Sequence, residues 1–379
     1  MDWIHSSSNL ITSALGMACK PMQTIVSTLQ TTGRFHAVDQ TMAGALSQLA
    51  PWISPTLCGC CQVLPVDQLN APLIYRIQEL RNKVGIYNTV RQIESILKGI
   101  ERSDSISAYL ERTHSIEPFL RGWSFEGVGY EFGKSILRSE CKPLQRDQIP
   151  EQAMLMVHTG LGMAISETVL SRHLRHKSPD WIVENFLSLV DSIAISEYQQ
   201  VCWEPFGLML RLYNREIEKA VVELIRKKHP RFCLSCFHGI GRACYFAWEF
   251  FPPVCAAQID ILVRDAESES EANNVLAGFA WALTLVNLKN PKLVHFLLDD
   301  LSVGAAQRKA ISNGIASSLV VGYHSAPNVD YMDRLQTAAM QSDSMTWNLI
   351  AKACETSRKE FESRRRQIGD FFTYQDDLT

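Results

Sequence analysis

The chain has 379 residues, a formal net charge of −3, 46% apolar residues and 20% charged residues. This composition is typical of a globular protein with a substantial core, and the near-neutral charge excludes the polyanion preference of a strongly basic nucleic-acid-binding protein. No stretch reaches the roughly 18 uninterrupted apolar residues of a membrane span, and residues 1–5 lack the features of a signal peptide. Eleven cysteines, an odd number, favour free thiols in a reducing, cytoplasmic setting.

Residues 1–112 are predicted to form an N-terminal helical cap region. Leu10–Leu29 could form an amphipathic helix interrupted at Pro21. A surface-associated segment is the alternative, but the Lys/Arg face expected of a membrane-surface helix is missing. From Leu73 to Arg112 apolar residues recur at helical spacing. Ser103-Asp104-Ser105 interrupts this pattern and can cap a helix.

Residues 113–345 are predicted to form a helical-repeat core, because a glycine-containing pattern recurs there at steps of about 32 to 47 residues. Steps of this size are typical of stacked helical units. We therefore predict an all-α fold of tandem helical units, anchored by Gly-x-Gly at helix starts and stacked around an apolar cavity or groove. The anchor glycines are Gly127, Gly160, Gly207, Gly239, Gly278 and Gly314.

Amphipathic helices are predicted between these anchors, at Trp181–Ser192, Arg215–His229 and Pro291–Leu301. Residues 346–379 are predicted to form a charged C-terminal helix and tail. Arg358–Arg366 carries the charges of a solvated helix, and the last four residues read as a frayed end.

Glycine inside a helix costs about 1 kcal/mol of stability relative to alanine, so we expect the repeated glycines to permit an interaction that offsets this cost. Close packing of helices is the more common such interaction. Space for a ligand, or backbone N–H groups that face an anion, are the alternatives. A dinucleotide site is disfavoured, because Gly127-Val128-Gly129 is followed by Gly133 one place late and no strand precedes it.

Polar side chains beside the glycines are the candidate catalytic residues. If the units stack in register, these groups could line one cavity and perform general acid–base chemistry. Arg242, one turn after His238, could orient an acid or an anionic group. The alternative is a set of internal contacts between helices, since a lone histidine on an apolar face is more often a satisfied core residue. The candidates are Glu126, His158, Glu204, His238 and Arg242.

Two cysteine groups have spacings that zinc sites also use. Cys233 and Cys236 precede His238, and Cys58, Cys60 and Cys61 could supply further ligands. Burial of Cys233 and Cys236 as apolar thiols is the favoured interpretation, because their neighbours are apolar. We assign no metal ligand and no cofactor-binding residue.

Motifs of two common enzyme classes are missing. Asp299-Asp300 is followed by Val303 where the Asp-Asp-x-x-Asp magnesium cluster needs its third acid, which disfavours a standard terpene cyclase. The chain also lacks the Gly-x-Ser-x-Gly segment that holds a serine nucleophile.

Four segments of the repeat region match, in order, the sequence blocks of a known family. Phe119–Gly127 is similar to an R-G-F-a-F-E-G-A block, Met156–Ala164 to a V-H-V-G-x-G-W-A block, and Phe237–Phe246 to an F-D-Q-G-x-G-R-S-L-W-F block. Trp203–Gly207 lies where that family has Y-D-G-Y-G-F-H-E-G. Over roughly residues 115–325 the chain thus resembles the uncharacterised family encoded in enediyne biosynthetic gene clusters, which carries only a domain-of-unknown-function label.

The chain also departs from these blocks. His238 stands where the family pattern often has an acid or glutamine, Pro205-Phe206 replaces a glycine pair, and the N-terminal third matches poorly. The resemblance implies a soluble protein of secondary metabolism that handles a polyene or another apolar intermediate. It supplies no known reaction.

Two hypotheses of function follow. The first is a secondary-metabolite biosynthetic protein that acts on an apolar polyene or isoprenoid intermediate, as a non-standard cyclase or isomerase. The alternative is a non-catalytic helical-repeat scaffold that binds a pathway protein on its concave surface. The expected partners are a hydrophobic small molecule or a pathway protein; we expect no nucleic acid and no membrane span.

Overall fold

The computed structural model describes single residues between 75 and 93 and the ranges 105–138, 142–171, 177–246, 262–299, 304–326, 329–342, 344–363 and 371–374, with Leu301. The chain divides into two compact units, Met1–Leu73 and Ile74–Thr379, and the described residues belong to the second. The predicted helix Leu10–Leu29 and the cysteines at 58, 60 and 61 lie outside them. The predicted domain boundaries at 112 and 345 stay predictions.

All the regular elements of the described residues are helical, which confirms the predicted all-α fold. The α-helices are α1 Ile106–Arg112, α2 Arg121–Leu137, α3 Glu151–Val169, α4 Pro179–Ile193, α5 Trp203–Tyr213, α6 Arg215–Lys228, α7 Pro230–Phe246, α8 Glu269–Asn287, α9 Pro291–Asp299, α10 Ala305–Ser325, α11 Tyr331–Ala339 and α12 Met345–Ser363. Short 3-10 helices connect some of them, among them Ser196–Cys202 before α5. Within the described residues, no helix combines the length and the apolar character needed to cross a membrane.

The outer helices form where local sequence signals predict them. In α4, the side chain of Ser178 caps the helix by accepting a hydrogen bond from the Trp181 N–H, and Pro179 occupies the first turn. The buried residues of α4 recur every three or four positions, which gives the helix one apolar face. They are Ile182, Val183, Phe186, Val190 and Ile193. Helices α4, α6 and α9 thus occupy the three amphipathic segments predicted from the sequence.

The inner helices pack against one another in chain order through their glycines. The order is α2, α3, α5, α7, α8 and α10. At the contact of α5 with α7, the carbonyl oxygen of Glu204 lies where a Cβ of Gly239 would be, and the carbonyl oxygen of Cys236 lies where a Cβ of Gly207 would be. Only glycine permits so close an approach of two backbones.

The same reciprocal contact joins α2 to α3 and α7 to α8, so a single register rule describes all three pairs. In each pair, the touching carbonyl belongs to the residue three positions before the glycine of its own helix. Three of the predicted site residues, Glu126, Glu204 and His238, hold this position on α2, α5 and α7. The backbone contacts therefore place their side chains next to helix–helix interfaces.

The glycines lie in the middle of the helices, which differs from the predicted position at helix starts. Gly160 is the tenth residue of α3, and Gly239 is the tenth residue of α7. The physical reason is that two long helices that cross approach most closely away from their ends. At these glycines the space beside the helix is filled by the neighbouring backbone, so the gain is close packing rather than space for a ligand.

The series of inner helices returns towards its beginning. Helix α10 contacts both α2 and α3, and Ser325 near its end lies 3.2 Å from the position of a Cβ on Gly122 of α2. Trp123 of α2 and Trp281 of α8 meet edge to face, with ring centroids 6.0 Å apart. Side chains from α2, α5, α7 and α8 can therefore meet between the helices.

Candidate functional site

Arg242 of α7 joins two carboxylates that come from two other helices. Its Nη2 donates to both carboxylate oxygens of Glu126 on α2, at 2.6 and 2.8 Å. Its Nη1 donates to Oε2 of Glu204 on α5, at 3.1 Å. All three side chains are buried, with residue exposures of 0% to 3%. The contact of Gly239 with the Glu204 carbonyl brings α5 and α7 close enough for these bonds.

His238 completes this group, which we call the Arg242 cluster: Glu126, Glu204, His238 and Arg242. His238 precedes Arg242 by four residues on α7, so both side chains lie on one face of the helix. Its Nδ1 lies 3.7 Å from Oε1 of Glu204. Four of the five predicted catalytic residues are therefore brought together.

Aromatic rings surround the Arg242 cluster. The guanidinium carbon of Arg242 lies 5.5 Å from the ring centroid of Trp123 and 5.2 Å from that of Trp281. Such distances allow attraction between a cation and the ring faces. The ring of Phe372 lies 5.3 Å from that of His238 and 5.7 Å from that of Trp281. The charged groups are thus held in apolar surroundings, where electrostatic interactions are strong.

In the Arg242 cluster, two carboxyl groups face one guanidinium. Burial raises the pKa of Glu126 above its ordinary value, and the neighbouring Arg242 only partly offsets this. Burial also acts to raise the pKa of Glu204, but Arg242 and His238 outweigh it, so the pKa lies below its ordinary value. The two carboxyl groups are thus shifted in opposite directions: the surroundings of Glu126 raise its pKa and those of Glu204 lower its pKa.

Two buried N–H groups of this region lack a hydrogen-bond acceptor among the described residues. They are Nε of Arg242 and Nε1 of Trp281. Leaving such an atom unpaired costs roughly 1–3 kcal/mol. A bound molecule that supplies an acceptor to the two N–H groups would recover part of this free energy.

His158 does not join the Arg242 cluster. Its Nδ1 donates to the Met154 carbonyl oxygen at 2.8 Å, and its Nε2 accepts the backbone N–H of Ile195 at 3.3 Å. Its ring stacks on that of Tyr198, with centroids 4.5 Å apart. Burial lowers the pKa of His158 to about 4, and both ring nitrogens are occupied. The prediction that His158 shares a cavity with the other candidates is corrected: it is a satisfied core histidine.

The cysteines at 233 and 236 are buried free thiols. Burial raises the pKa of Cys233 to about 12 and raises that of Cys236 well above its ordinary value. A thiol must lose its proton to bind a metal, so this environment opposes binding. Across the described part of the chain, no group of three or more His, Cys, Asp or Glu side chains is placed to hold a metal ion.

A second buried arginine provides a comparison for Arg242. Arg211 donates from Nε and Nη2 to both carboxylate oxygens of Glu218, at 2.8 and 2.5 Å, and Nη2 also meets Asp265 at 3.1 Å. Asp265 is about half exposed, so this ion pair reaches the solvent-accessible surface. Arg211 and Glu218 therefore form a buried pair of the same chemistry outside the Arg242 cluster.

The aromatic residues of the site were not among the predicted site residues. The sequence spacing could have identified two of them. Trp123 precedes the candidate Glu126 by three residues, and Trp281 follows the anchor Gly278 by three, so each lies on the same helix face as a residue already singled out. No such spacing identifies Phe372, because its contact with His238 spans more than a hundred residues of chain.

No protein-family model matches the chain, and neither a curated protein nor a solved structure matches it. The resemblance to the family of the enediyne gene clusters therefore stays a prediction from four segments.

Proposed function

We propose that the protein is an acid–base enzyme of secondary metabolism that isomerises or cyclises an apolar polyene or isoprenoid intermediate at the Arg242 cluster. One observation carries this proposal. Two carboxyl groups share one arginine, and the pKa of Glu126 is raised while that of Glu204 is lowered. Carboxyl groups whose pKa values are driven apart are the usual arrangement for one acid and one base in the same site.

The proposed roles follow from the directions of these two pKa shifts. Glu126 keeps its proton and donates it to one carbon of the substrate, which forms a C–H bond. Glu204, oriented by Arg242 and next to His238, accepts a proton from another carbon, which breaks a C–H bond and shifts the double bond. Transfer of that proton back to Glu126 restores the starting state, so an isomerisation needs no further reactant.

The surroundings suit an apolar substrate. Trp123 and Trp281 present aromatic rings to the Arg242 cluster, and aromatic faces stabilise positive charge that develops on a hydrocarbon chain. Protonation of a polyene is also the first step of a cyclisation. The resemblance of four segments to a family from biosynthetic gene clusters is the reason for placing the substrate in secondary metabolism.

A non-catalytic helical-repeat scaffold is the second candidate. The observation that favours it is the packing of the glycines against neighbouring backbone, which is sufficient reason for their repetition. Under this reading the Arg242 cluster is a set of internal contacts that holds α2, α5 and α7 together.

The enzyme and the scaffold are distinguished by whether a bound molecule exchanges its hydrogen atoms with the solvent. The substrate is identified as the small molecule that native mass spectrometry finds on the purified protein, and its deuterium uptake in D2O is then followed. We expect Glu126→Gln to lower the exchange rate by about 100-fold or more, since general acid–base groups typically contribute 10² to 10⁴. The matched control is Glu218→Gln, which changes the other buried arginine pair and should leave the rate unchanged.

Equal rates for the wild type and Glu126→Gln would contradict the acid–base proposal. A co-purifying protein chain in place of a small molecule would favour the scaffold.

A further inference from the structure

A short C-terminal segment, Phe371–Tyr374, covers one side of the Arg242 cluster. Phe372 is 1% exposed, and its ring contacts His238 and Trp281. Those two residues belong to α7 and α8, whereas Phe372 follows α12 in the chain. The segment therefore supplies a single aromatic ring to a site built by other helices.

The segment is buried against α8 and α10, and two of its contacts show how it is held. The backbone N–H of Tyr374 donates to Oδ1 of Asn274 at 2.7 Å, and the ring of Phe371 lies 6.1 Å from that of His324. A hydrogen bond of this kind contributes only a small net stabilisation, because water replaces it when the segment is released. Release of Phe371–Tyr374 also exposes its side chains, which are at most 8% exposed in the structure, so a displacing ligand has to bury comparable apolar area in their place.

Two buried N–H donors, one on Trp281, which contacts Phe372, and one on Arg242, which contacts Trp281, favour a ligand with an oxygen atom. Trp281 Nε1 and Arg242 Nε are buried N–H donors with no acceptor among the described residues, and both side chains are at most 3% exposed. The phenyl ring of Phe372 offers no acceptor of comparable strength. A ligand that combines a flat apolar group with a carbonyl oxygen would fill the place of the phenyl ring and also accept hydrogen bonds from these N–H donors.

We propose that Phe372 occupies the place of a ligand, and that a conjugated carbonyl compound binds against His238 and Trp281 by displacing the segment Phe371–Tyr374. This inference rests on the proposed function and specifies its substrate class: an apolar molecule whose double bonds are conjugated to a carbonyl group. The carbonyl oxygen is the acceptor for the donors at Trp281 and Arg242.

The conjugated carbonyl also fits the acid–base chemistry. Removal of a proton from the carbon next to the conjugated system places the negative charge on the carbonyl oxygen as a dienolate. Fixed N–H donors stabilise such charge strongly in a site without water. Protonation by Glu126 at another carbon regenerates the carbonyl group with its double bond moved, so no oxidant or reductant is needed.

The test uses two small probes on the full-length protein, 2-acetylnaphthalene and its carbonyl-free counterpart 2-ethylnaphthalene. Their binding is measured by titration calorimetry. Since an occupied site lowers apparent affinity by the fraction of open molecules, we expect Phe372→Ala to bind 2-acetylnaphthalene at least tenfold more tightly than the wild type. Phe186→Ala is the matched control, because it removes an equally buried phenyl ring outside the segment, where it contacts Trp203 and Phe206, and its affinity should stay within twofold of the wild type.

A second variant opens the site without creating a cavity. Asn274→Leu removes the acceptor of the Tyr374 N–H, and the affinity should rise roughly two- to tenfold, the equivalent of one hydrogen bond. The acetyl probe should bind at least tenfold more tightly than the ethyl probe, and Trp281→Phe should reduce that preference.

Unchanged affinity in both Phe372→Ala and Asn274→Leu, or an equal gain in Phe186→Ala, would overturn the proposal. Equal affinity for the two probes would overturn the carbonyl assignment. These binding results are independent of turnover: tighter binding with deuterium exchange unaffected by Glu126→Gln leaves the binding site in place and removes the proposed catalysis.

Discussion

His158 on α3 and His238 on α7 have similar sequence surroundings and different structural ones. Each histidine precedes a Gly-x-Gly that packs against neighbouring segments of the chain. His158 has both ring nitrogens occupied by backbone groups, whereas His238 lies beside the carboxylate of Glu204 and the ring of Phe372. The comparison teaches that a shared motif marks where helices touch, and does not determine what the side chain meets.

The two histidines differ by one position relative to the residue whose carbonyl oxygen contacts a glycine of the partner helix. His238 stands three residues before Gly241, at the position whose carbonyl touches the partner helix. On α3 that position is held by Val157, three residues before Gly160, and His158 follows it. One residue turns a side chain by about 100° around a helix, which directs His158 towards Ile195 and Tyr198 instead.

Removing the guanidinium of Arg242, which lies one turn from His238, is expected to lower the free energy of unfolding more than any other change. Arg242→Met leaves Glu126 and Glu204 buried without their partner, and breaking a buried ion pair in this way typically costs about 3–5 kcal/mol. The free energy of unfolding is measured by urea denaturation. A loss below about 1 kcal/mol would mean that the two carboxylates are hydrated, and the Arg242 cluster would then not be a desolvated site.

The next largest effect is expected at acid pH, where protonation of His158 in the unfolded chain lowers the free energy of unfolding. Because the pKa of His158 is lowered to about 4, the unfolded chain takes up the proton first as the pH falls. The stabilisation is complete above pH 6.5 and is lost between about pH 6.5 and 4, which amounts to about 3 kcal/mol at 1.36 kcal/mol per pKa unit. Urea titrations at several pH values should show this loss in the wild type and a smaller one in His158→Gln. Equal pH dependence of the two proteins would contradict the assignment.

Replacing the glycines next to His158 and His238 by alanine is expected to lower the stability by a smaller amount. A Cβ in Gly160→Ala or Gly239→Ala would overlap the carbonyl of Glu126 or Glu204, and such overpacking typically costs about 1–3 kcal/mol. Gly85→Ala is the control, because no atom of the described residues outside its own turn of helix lies within 4 Å of its Cβ position, and a gain in helix propensity is expected there. Thermal unfolding of the three variants checks the order, and a stable Gly239→Ala protein would disprove the close contact.

The smallest expected effect concerns the ring that stacks on His158. Tyr198→Leu removes an aromatic pair, which contributes about 0.5–1.5 kcal/mol beyond the buried area. Tyr198→Phe keeps the ring and should keep that contribution. If the two variants were equally stable, the stacking seen at 4.5 Å would contribute nothing and His158 would be held by its hydrogen bonds alone.

Local sequence patterns determined the helices. The apolar spacing of α4, α6 and α9 predicted their extents closely, because a helix on the outside of the protein needs one apolar face that recurs every three or four residues. The repeated glycines also identified the inner helices, since their cost within a helix has to be offset by contact with another chain segment. The sequence also singled out the polar residues beside the glycines as candidate site residues; they are buried, and their catalytic role stays a prediction.

Only the tertiary structure decided which of these groups meet. Arg242 reaches Glu126 across 116 positions of the chain, and no periodicity within a helix encodes which helix lies opposite. The separation of His158 from His238 depends on a rotation of one residue about a helix axis, which the glycine spacing alone does not specify. Phe372 is placed by the return of the C-terminal segment to α7 and α8. Local periodicity is a property of neighbouring residues, whereas the composition of a site is set by long-range packing.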